Sequence, residues 1–586
     1  MKNNDILLFN LHRKYVNQES FHGGFSGIYL IAAFIEENGF EGQAYAGLLA
    51  DGKKLIDYAC ANGIVKVVGL YCDFDNVTEN IFLSNYIKEQ YGLPVIVGGP
   101  QATALGADFF ECSACDAIVR YEGELTVLDL MRYFVDGIGD LSAIKGISYY
   151  KDGVVHINTE RPLIENLDSL PFLDSRFSLD DKFRQCEANI MTGRGCPFHC
   201  SFCHEGHHTR KVRFRSVENV LQEVDQFLET LGDREGFICF TDDTFTLVPE
   251  RVKGICEGLA KRREKYNFEW FCEGHIHTLY LHPEMIDYLV AGGINTLQLG
   301  IESGVQSILD AYRKGCTLDE IRDVIVKCES KGINHVYGNI ILGGPGYSAE
   351  AYEQHLEFAK ELYLLSKGIL NMNVVSCWPL PETDITCNPE KYNLKIVDYD
   401  FLTSSSDFPM IEVGGMGVWD ICVQSNDMKK ALDQHILDMY HKRLVPEDRI
   451  IKWMKHYLET GSDTYWLYVL RNANPALYGY YCMLNSNDIV SLADLLEDEL
   501  WDYHPMRVES LYNNCYLKDS KFVVYGHVLS ELERELVRYS LGRLSLYDIV
   551  DLFIQKNSWT KSDAMKMVRE GIKSLADKRA VVFSKY

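Results

Sequence analysis

Three cysteines in one short loop are the residues of this sequence best suited to chemistry. Cys196, Cys200 and Cys203 lie in the run TGRGCPFHCSFC, which extends from Thr192 to Cys203. Cysteine thiolates are the usual protein ligands of a [4Fe–4S] cluster, and three of them leave one iron without a protein ligand. The glycines allow the backbone to wrap closely around a cluster. The spacing therefore predicts a cluster whose open iron is available for chemistry.

The spacing Cys-x3-Cys-x2-Cys, with the aromatic Phe202 directly before the last cysteine, resembles the signature of the radical S-adenosylmethionine (SAM) enzymes. The resemblance implies that the open iron chelates SAM and that an electron from the cluster cleaves SAM to a 5′-deoxyadenosyl radical. A zinc site is the alternative, since a tetrahedral site needs four ligands. Four nearby histidines could supply the fourth: His199, His204, His207 and His208.

The elements that must position this loop follow it in the chain as alternating strand and helix patterns. Apolar runs predict strands at Phe237–Phe240, Phe268–Cys272, Thr296–Gly304, Val336–Leu342 and Asn371–Ser376. With one strand before the loop, six strands over about 200 residues predict a partial parallel α/β barrel, (β/α)6, over residues 186–390. In such a barrel the active-site residues lie at the strand ends.

Residues at these predicted strand ends resemble landmarks of the radical SAM enzymes. The resemblance implies SAM contacts at Asp242, Asp243, Glu302, Ser303, Gly343 and Gly344. His275 falls where many relatives carry an arginine. His275 and His277, two apart on a predicted strand, would share one face and either touch substrate or form a structural pair.

Residues 1–140 also alternate between strand and helix, which predicts a doubly wound parallel sheet with ligands at the carboxyl ends of its strands. The loops there resemble those of the cobalamin-binding domain that precedes the barrel in one large class of radical SAM enzymes. The resemblance implies that cobalamin contacts lie at His22, Tyr71, Gly98, Gly99, Gln101, Glu122 and Gly123. The fold class is thus α/β, with this sheet, the barrel and a mainly helical C-terminal region.

The match to the cobalamin-binding domain departs at two positions. Tyr121 stands where glycine is usual, and Gln101 where histidine is frequent. The motif Asp-x-His-x-x-Gly, which would supply a histidine ligand to cobalt, is absent, so bound cobalamin should lack that lower ligand; His22 is the nearest candidate. A degenerate module that no longer binds a corrinoid is the alternative.

The remaining segments carry weaker patterns. Residues 141–185 read as a linker with a β-hairpin at Asp152-Gly153, and residues 391–586 as a helical C-terminal region. The last part, residues 525–586, predicts three helices and a strand, which fits either a winged-helix-like module or a simple helical cap.

Amino-acid composition limits the binding partners and the cellular compartment that we expect for this protein. The 586 residues include 58 Lys and Arg against 84 Asp and Glu, a net charge of −26. This charge argues against sequence-independent binding of nucleic acid and against anionic membrane surfaces. The 18 cysteines, many of them isolated in apolar segments, indicate reduced thiols. With no signal-peptide core and no apolar run long enough to span a membrane, we expect a cytoplasmic protein.

The resemblance implies a cobalamin-dependent radical SAM enzyme, most simply a methyltransferase acting on an unactivated carbon of a peptide or natural product. Its partners would be an electron donor such as flavodoxin or ferredoxin and a small-molecule or peptide substrate. One alternative keeps the radical but gives rearrangement, cyclisation or another modification without methyl transfer, with or without cobalamin. A second alternative is an iron–sulfur electron carrier or binding protein.

Overall fold

The computed structural model of the chain consists of two compact units, Met1–Lys429 and Lys430–Tyr586. The residues that it describes are all except 1–3, 13–25, 174, 178, 180–185, 205–209, 398–407, 462, 487, 496–499, 512–513 and 586. His22, one of the predicted cobalamin contacts, lies outside the described residues.

The first unit begins with a seven-stranded sheet in the order β2-β1-β3-β4-β5-β6-β7. Its strands are β1 (Ile6–His12), β2 (Gly42–Leu48), β3 (Val67–Tyr71), β4 (Val95–Gly98), β5 (Ala117–Val119), β6 (Ile147–Lys151) and β7 (Val154–Ile157). Strands β1 to β5 are parallel, whereas β6 and β7 form an antiparallel hairpin at the predicted turn. The chain reverses its winding direction between β1 and β3, the place where doubly wound sheets bind ligands.

Both faces of this sheet are covered by helices. Alternate residues of β1 point to opposite sides, so that Ile6 and Leu8 enter one hydrophobic core and Leu7 and Phe9 enter the other. The helices are Ser26–Glu37, Leu49–Ala61, Val77–Tyr91, Pro100–Leu105, Ala107–Cys112 and Glu124–Phe134. This burial on both sides explains the short, nearly continuous apolar runs of the strands.

The second sheet carries the cysteine loop. Its region contains β8 (Glu187–Ile190), β9 (Gly193–Arg194), β10 (Arg213–Phe214), β11 (Gly236–Phe240), β12 (Phe268–Gly274), β13 (Thr296–Glu302), β14 (His335–Leu342) and β15 (Leu370–Ser376). Six of these strands form one parallel sheet in the order β15-β14-β13-β12-β11-β8, while β9 and β10 pair antiparallel. The predicted α/β fold class, with a doubly wound sheet followed by a six-stranded partial barrel, is confirmed.

Helices connect the strands of the second sheet. They are Val217–Leu231, Pro249–Arg263, Ile276–Leu281, Glu284–Ala291, Gln306–Ala311, Leu318–Lys331, Ala349–Ser366 and Asp384–Cys387. Beyond them, β16 (Leu394–Ile396) and β17 (Ile411–Val413) form a small antiparallel pair. One expectation here is wrong: β12 ends at Gly274, and His277 lies in the helix that follows His275. The two histidines therefore do not share a strand face, because the chain turns into a helix between them.

The second unit is mainly helical. Its helices are Glu447–Thr460, Tyr465–Ala473, Pro475–Leu484, Glu531–Tyr539, Leu546–Asn557 and Lys561–Asp577, and the helix Val418–His441 contains the boundary between the units. Its strands are β18 (Ile489–Val490), β19 (His504–Arg507), β20 (Cys515–Lys518), β21 (Lys521–Val524), β22 (His527–Val528) and β23 (Val581–Ser584). Strand β23 lies between β18 and β19, and β20 to β22 form a separate sheet. The winged-helix-like module stays a prediction.

No described helix has both the length and the apolar character that a membrane crossing requires.

Candidate functional site: the cysteine loop and the cavity beside the first sheet

The cysteine loop is fixed at its middle by Ser201. The backbone N–H of Ser201 donates to the carbonyl of Tyr312 at 2.9 Å, and its hydroxyl donates to the carbonyl of Ala311 at 2.9 Å. On its other side, the N–H of Ile385 donates to the Ser201 carbonyl at 3.1 Å. Since Ser201 directly follows Cys200, these contacts hold the loop against two helix termini of the barrel.

The three cysteines have the chemistry that a [4Fe–4S] cluster requires. All three residues are free of disulfides and partly exposed. Within the described part of the chain, no three Cys, His, Asp or Glu side chains converge as the ligands of a single metal ion would. A cluster makes no such demand, because each thiolate binds a different iron. The donor set therefore fits a cluster, while His207 and His208 of the zinc alternative lie outside the described residues.

Aromatic contacts hold the loop on both sides of Cys200. The ring of Phe198 stacks on His275 with centroids 3.6 Å apart, and the ring of Phe202 packs edge-on against Tyr312 at 5.0 Å. Burial lowers the pKa of His275 to about 3, so its imidazole is neutral. His275 therefore packs against the loop but does not replace the charge of the arginine that relatives carry there.

A buried lysine lies near Cys200 instead. The Nζ atom of Lys314 is 2.8 Å from Oε1 of Glu302, and both side chains are about nine-tenths buried. Although burial acts in the opposite direction, the Glu302 carboxylate holds the pKa of Lys314 above its usual value. Burial raises the pKa of the Cys200 thiol, and the charge of Lys314 opposes this effect. The predicted SAM residue Glu302 is thus one half of a buried ion pair at the loop.

Ser303 and the two glycines after β14 are also closely packed. The Ser303 hydroxyl lies 3.1 Å from Nε2 of His355. A Cβ added at Gly343 would lie 2.9 Å from Cδ1 of Ile421, and one added at Gly344 would lie 1.9 Å from the hydroxyl of Tyr312. SAM contacts at these three residues stay predictions.

The two aspartates after β11 have different surroundings. Asp242 is buried and accepts hydrogen bonds from the Thr192 N–H at 2.6 Å and from the Thr192 hydroxyl. It therefore fastens the start of the cysteine loop. Asp243 lines a cavity, and burial raises its pKa against the opposing effects of the Gly195 N–H and Arg194. Of the pair, Asp243 is the better placed to meet a ligand.

That cavity, of about 410 Å³, lies between the carboxyl ends of the first sheet and the cysteine loop. Residues of β1, β3, β4 and β5 line one side, and Gly193, Arg194, Gly195, His204 and Asp243 line the other. Five of the seven predicted cobalamin residues are in its lining: Tyr71, Gly98, Gly99, Glu122 and Gly123. Gln101 is buried and is absent from this lining. The cavity thus occupies the switch point of the sheet, where the fold predicts a ligand.

Two residues with positive φ shape the backbone where the first sheet meets the cavity. Gly99 has φ +107°, and a Cβ there would lie 2.4 Å from the carbonyl oxygen of Cys72, so only glycine lets the loops after β3 and β4 meet. Tyr121, where glycine is usual, has φ +65° and lies on the cavity wall. A bulky residue rarely adopts this conformation, which gives a physical reason for the usual glycine. The open lining and the glycine cradle fit a flat ligand at this edge.

An ion-pair network closes one side of the cavity. Arg194 pairs with Glu124 and lies 3.2 Å from Oε1 of Glu122. Arg213 lies 2.8 Å from the same Glu122 oxygen, and the N–H of Ile164 donates to the other oxygen at 2.8 Å. Burial by itself would raise the pKa of Glu122, but these two arginines hold that pKa below its usual value. The sequence analysis did not predict a role for Arg194. The available signal was that Arg194 is a single charged residue between Gly193 and Gly195 of the loop.

Comparison with known proteins agrees with this arrangement. Residues 190–359 match the model of the radical SAM superfamily. An uncharacterized methyltransferase of Pyrococcus horikoshii is 32% identical over 292 residues, which are 49% of this chain and 59% of that protein. Residues 190–359 are therefore a radical SAM domain. The predicted resemblance is confirmed, and this chain spans only 59% of the length of that relative.

Two solved structures share the fold of this chain. The methyltransferase TsrM of Kitasatospora setae, solved with cobalamin and a [4Fe–4S] cluster, has a TM-score of 0.61 at 16% identity and covers 81% of this chain and 100% of its own. The cobalamin-dependent SAM radical enzyme OxsB, solved with aqua-cobalamin and SAM, has a TM-score of 0.59 at 17% identity and covers 98% of this chain and 84% of its own. The three cofactors predicted for this chain are those named for these two proteins.

Proposed function

We propose that this protein is a cobalamin-dependent radical SAM methyltransferase that modifies an unactivated carbon of a peptide or natural product. The observation that carries the proposal is the cavity that opens to the carboxyl ends of the first sheet on one side and to the cysteine loop on the other. A corrinoid at the sheet and a cluster on the loop would thus face one common space.

When bound, the cluster and SAM supply a carbon-centred radical and the corrinoid supplies a methyl group. Two electrons per product must come from outside the chain, one for SAM cleavage and one to return the corrinoid to the form that would accept the next methyl group. A flavodoxin or ferredoxin is the proposed donor. Two SAM molecules are consumed for each product. One would give up its methyl group and leave as S-adenosylhomocysteine. The other would be cleaved at its S–C5′ bond to methionine and an adenosyl radical, which takes the substrate hydrogen and leaves as 5′-deoxyadenosine.

The chain's own residues position and shield these groups. Cys196, Cys200 and Cys203 would hold the cluster, with the loop anchored through Ser201. Arg194 pairs with Glu122 and Glu124 and so ties the loop to the first sheet, which would fix the separation of the two proposed sites. The apolar cavity lining, which includes Leu8, Ile28, Ile31, Leu70 and Ile96, would exclude water from a reactive radical.

Mass analysis of SAM products tests the proposal. The full chain is purified anaerobically, reconstituted with iron and sulfide, supplied with hydroxocobalamin, and reduced in the presence of SAM carrying a deuterated methyl group. We expect 5′-deoxyadenosine, S-adenosylhomocysteine and labelled methylcobalamin without any added substrate. A reduced, cluster-loaded protein that yields no 5′-deoxyadenosine would overturn the radical SAM mechanism and favour an electron-carrier role.

Substitution of one ligand separates the two cofactor sites. Cys200→Ala should abolish the cluster and SAM cleavage while leaving cobalamin uptake largely intact. Cys60→Ala is the matched control, because Cys60 is a free cysteine of the helix Leu49–Ala61, away from the loop in the chain. Loss of cobalamin uptake together with the cluster in Cys200→Ala would argue against separate sites.

A radical modification without methyl transfer is the second candidate. It is favoured by one observation: the solved structure that covers 98% of this chain is described as a cobalamin-dependent SAM radical enzyme, not as a methyltransferase. In the same assay, 5′-deoxyadenosine without labelled methylcobalamin or S-adenosylhomocysteine would favour this second candidate.

A further inference from the structure

Tyr312 contacts the cysteine loop with both its backbone and its ring. Its carbonyl accepts the hydrogen bond from the Ser201 N–H at 2.9 Å, and its ring packs edge-on against Phe202 at 5.0 Å. Ser201 and Phe202 together separate Cys200 from Cys203. A shift of Tyr312 would therefore move the part of the loop that carries two of the three thiolates.

The other end of the Tyr312 side chain rests on Gly344. A Cβ built on Gly344 would lie 1.9 Å from the Tyr312 hydroxyl, 2.7 Å from Cζ and 3.0 Å from Cε1. The first two separations are shorter than real Cβ contacts, the third is unusually tight, and Tyr312 is fully buried. The neighbouring Gly343 and Gly346 have φ of +76° and +73°, whereas Gly344 has no positive φ. Glycine is thus required at position 344 by the tyrosine and not by the backbone conformation.

We propose that Tyr312 is a positioning residue that sets the geometry of the cysteine loop from the turn after β14, and that Gly344 is glycine in order to seat its hydroxyl. The inference rests on the proposed function, since it concerns the loop that would hold the cluster. It assigns Gly344 a role different from the SAM contact that the sequence resemblance implies.

The Tyr312 side chain links the cysteine loop to the turn after β14, two regions that are far apart in the sequence. The hydroxyl end also lies near the thiol of Cys377, which follows β15. Tyr312 thereby connects the cysteine loop with the ends of β14 and β15. Lys314, the buried cation near Cys200, is two residues further along, so a displaced Tyr312 would disturb that contact as well.

The test is a double-substitution cycle on the full chain. Gly344→Ala, Tyr312→Phe and the double variant are reconstituted anaerobically, and iron per chain and the electron paramagnetic resonance spectrum of the reduced cluster are recorded without SAM or corrinoid. In Gly344→Ala we expect the cluster signal to fall about twofold or more, with an altered line shape, because overpacking displaces the ring.

Tyr312→Phe removes the atom that would lie nearest to the added methyl group. The double variant should therefore regain at least about half of the lost signal, with the remaining contact at Cζ limiting full recovery. Gly346→Ala is the matched control, because it strains the same turn and its Cβ would meet only Ile308 at 3.5 Å. Tyr312→Phe should not change the effect of that control.

Two results would overturn the proposal: a wild-type cluster spectrum in Gly344→Ala, or a defect in Gly344→Ala that Tyr312→Phe leaves unchanged. If Gly344→Ala is insoluble, recovery of soluble protein in the double variant supports the inference, and an equally insoluble double variant refutes it. Because the readout needs neither SAM cleavage nor methyl transfer, its failure is distinct from failure of the proposed function.

Discussion

Replacement of Arg194 by glutamine should loosen the connection between the first sheet and the cysteine loop. The substitution keeps most of the side-chain length and removes the charge. Glu124, whose side chain is 5% exposed, would lose the arginine that it pairs with, whereas Glu122 would keep Arg213. Breaking a buried ion pair by removing one partner costs about 3–5 kcal/mol.

The lower end of that range applies here. Glu124 begins the helix Glu124–Phe134, and a helix N-terminus stabilises a carboxylate by about 0.3–1 kcal/mol. We therefore expect local opening to become easier by about 3 kcal/mol. The measurement is hydrogen exchange of peptides covering residues 117–134 and 187–203 in the full chain, since a protein of two units does not unfold in one step.

A matched control is Arg132→Gln. Arg132 pairs with Asp129 at 3.2 Å, but its side chain is 49% exposed, so the loss should not exceed about 1 kcal/mol. Equal protection from hydrogen exchange in Arg194→Gln and Arg132→Gln would refute the argument that buried charge pairing holds the cysteine loop to the first sheet.

Three further outcomes follow from the geometry. Gly99→Ala should destabilise the first sheet by at least about 2 kcal/mol, because the added methyl group would contact the backbone of Cys72. It should also reduce the uptake of hydroxocobalamin, which is measured by absorbance. Gly92→Ala is the control, since Gly92 has φ +64° but open space around it, and it should cost about 1 kcal/mol. Asp242→Asn should lower the temperature at which the first unit unfolds, whereas Asp243→Asn should leave that temperature within about 2 °C and change cofactor spectra instead; the reverse order would contradict the assignment. In the second unit, burial favours a higher pKa for Glu533, but hydrogen bonds hold that pKa at about 2, below the usual 4.5. The resulting stabilisation, at most about 3 kcal/mol, is present above pH 4.5 and is lost as the pH falls toward 2. Hydrogen exchange of the helix Glu531–Tyr539 should show this loss in the wild type and not in Glu533→Gln.

The sequence predicted the elements whose signals are local. Strands β11 to β15 could be found because each is an apolar run that ends in polar or glycine residues, and the cysteine spacing is itself a local pattern. Strand β2 was missed, since Gly42–Leu48 carries small residues such as Ala44 and Ala46 in place of a branched apolar run. His275 was assigned to a strand because nothing in the local pattern marks the turn into Ile276–Leu281.

The contacts that complete the site are non-local, which is why residue patterns did not predict them. Arg194 meets carboxylates about 70 residues earlier in the chain, and the Tyr312 hydroxyl meets a glycine after the next strand. Each side chain is ordinary in type, and only the fold brings the partners together. Asp242 shows the converse, because two adjacent aspartates look equivalent in sequence, but one holds the loop and the other faces the cavity.

The pairing of Arg194 with Glu122 and Glu124 also bears on biosynthesis. Protein chains emerge from the ribosome with the N-terminus first, and domains generally fold as units in that order. The carboxylates at the end of β5 are therefore translated, and their sheet can form, before Arg194 and the three cysteines are made. The nascent loop would meet these two carboxylates already in place. A chain shortened to start at residue 186 would keep every thiolate and still lack the surface on which its loop is assembled.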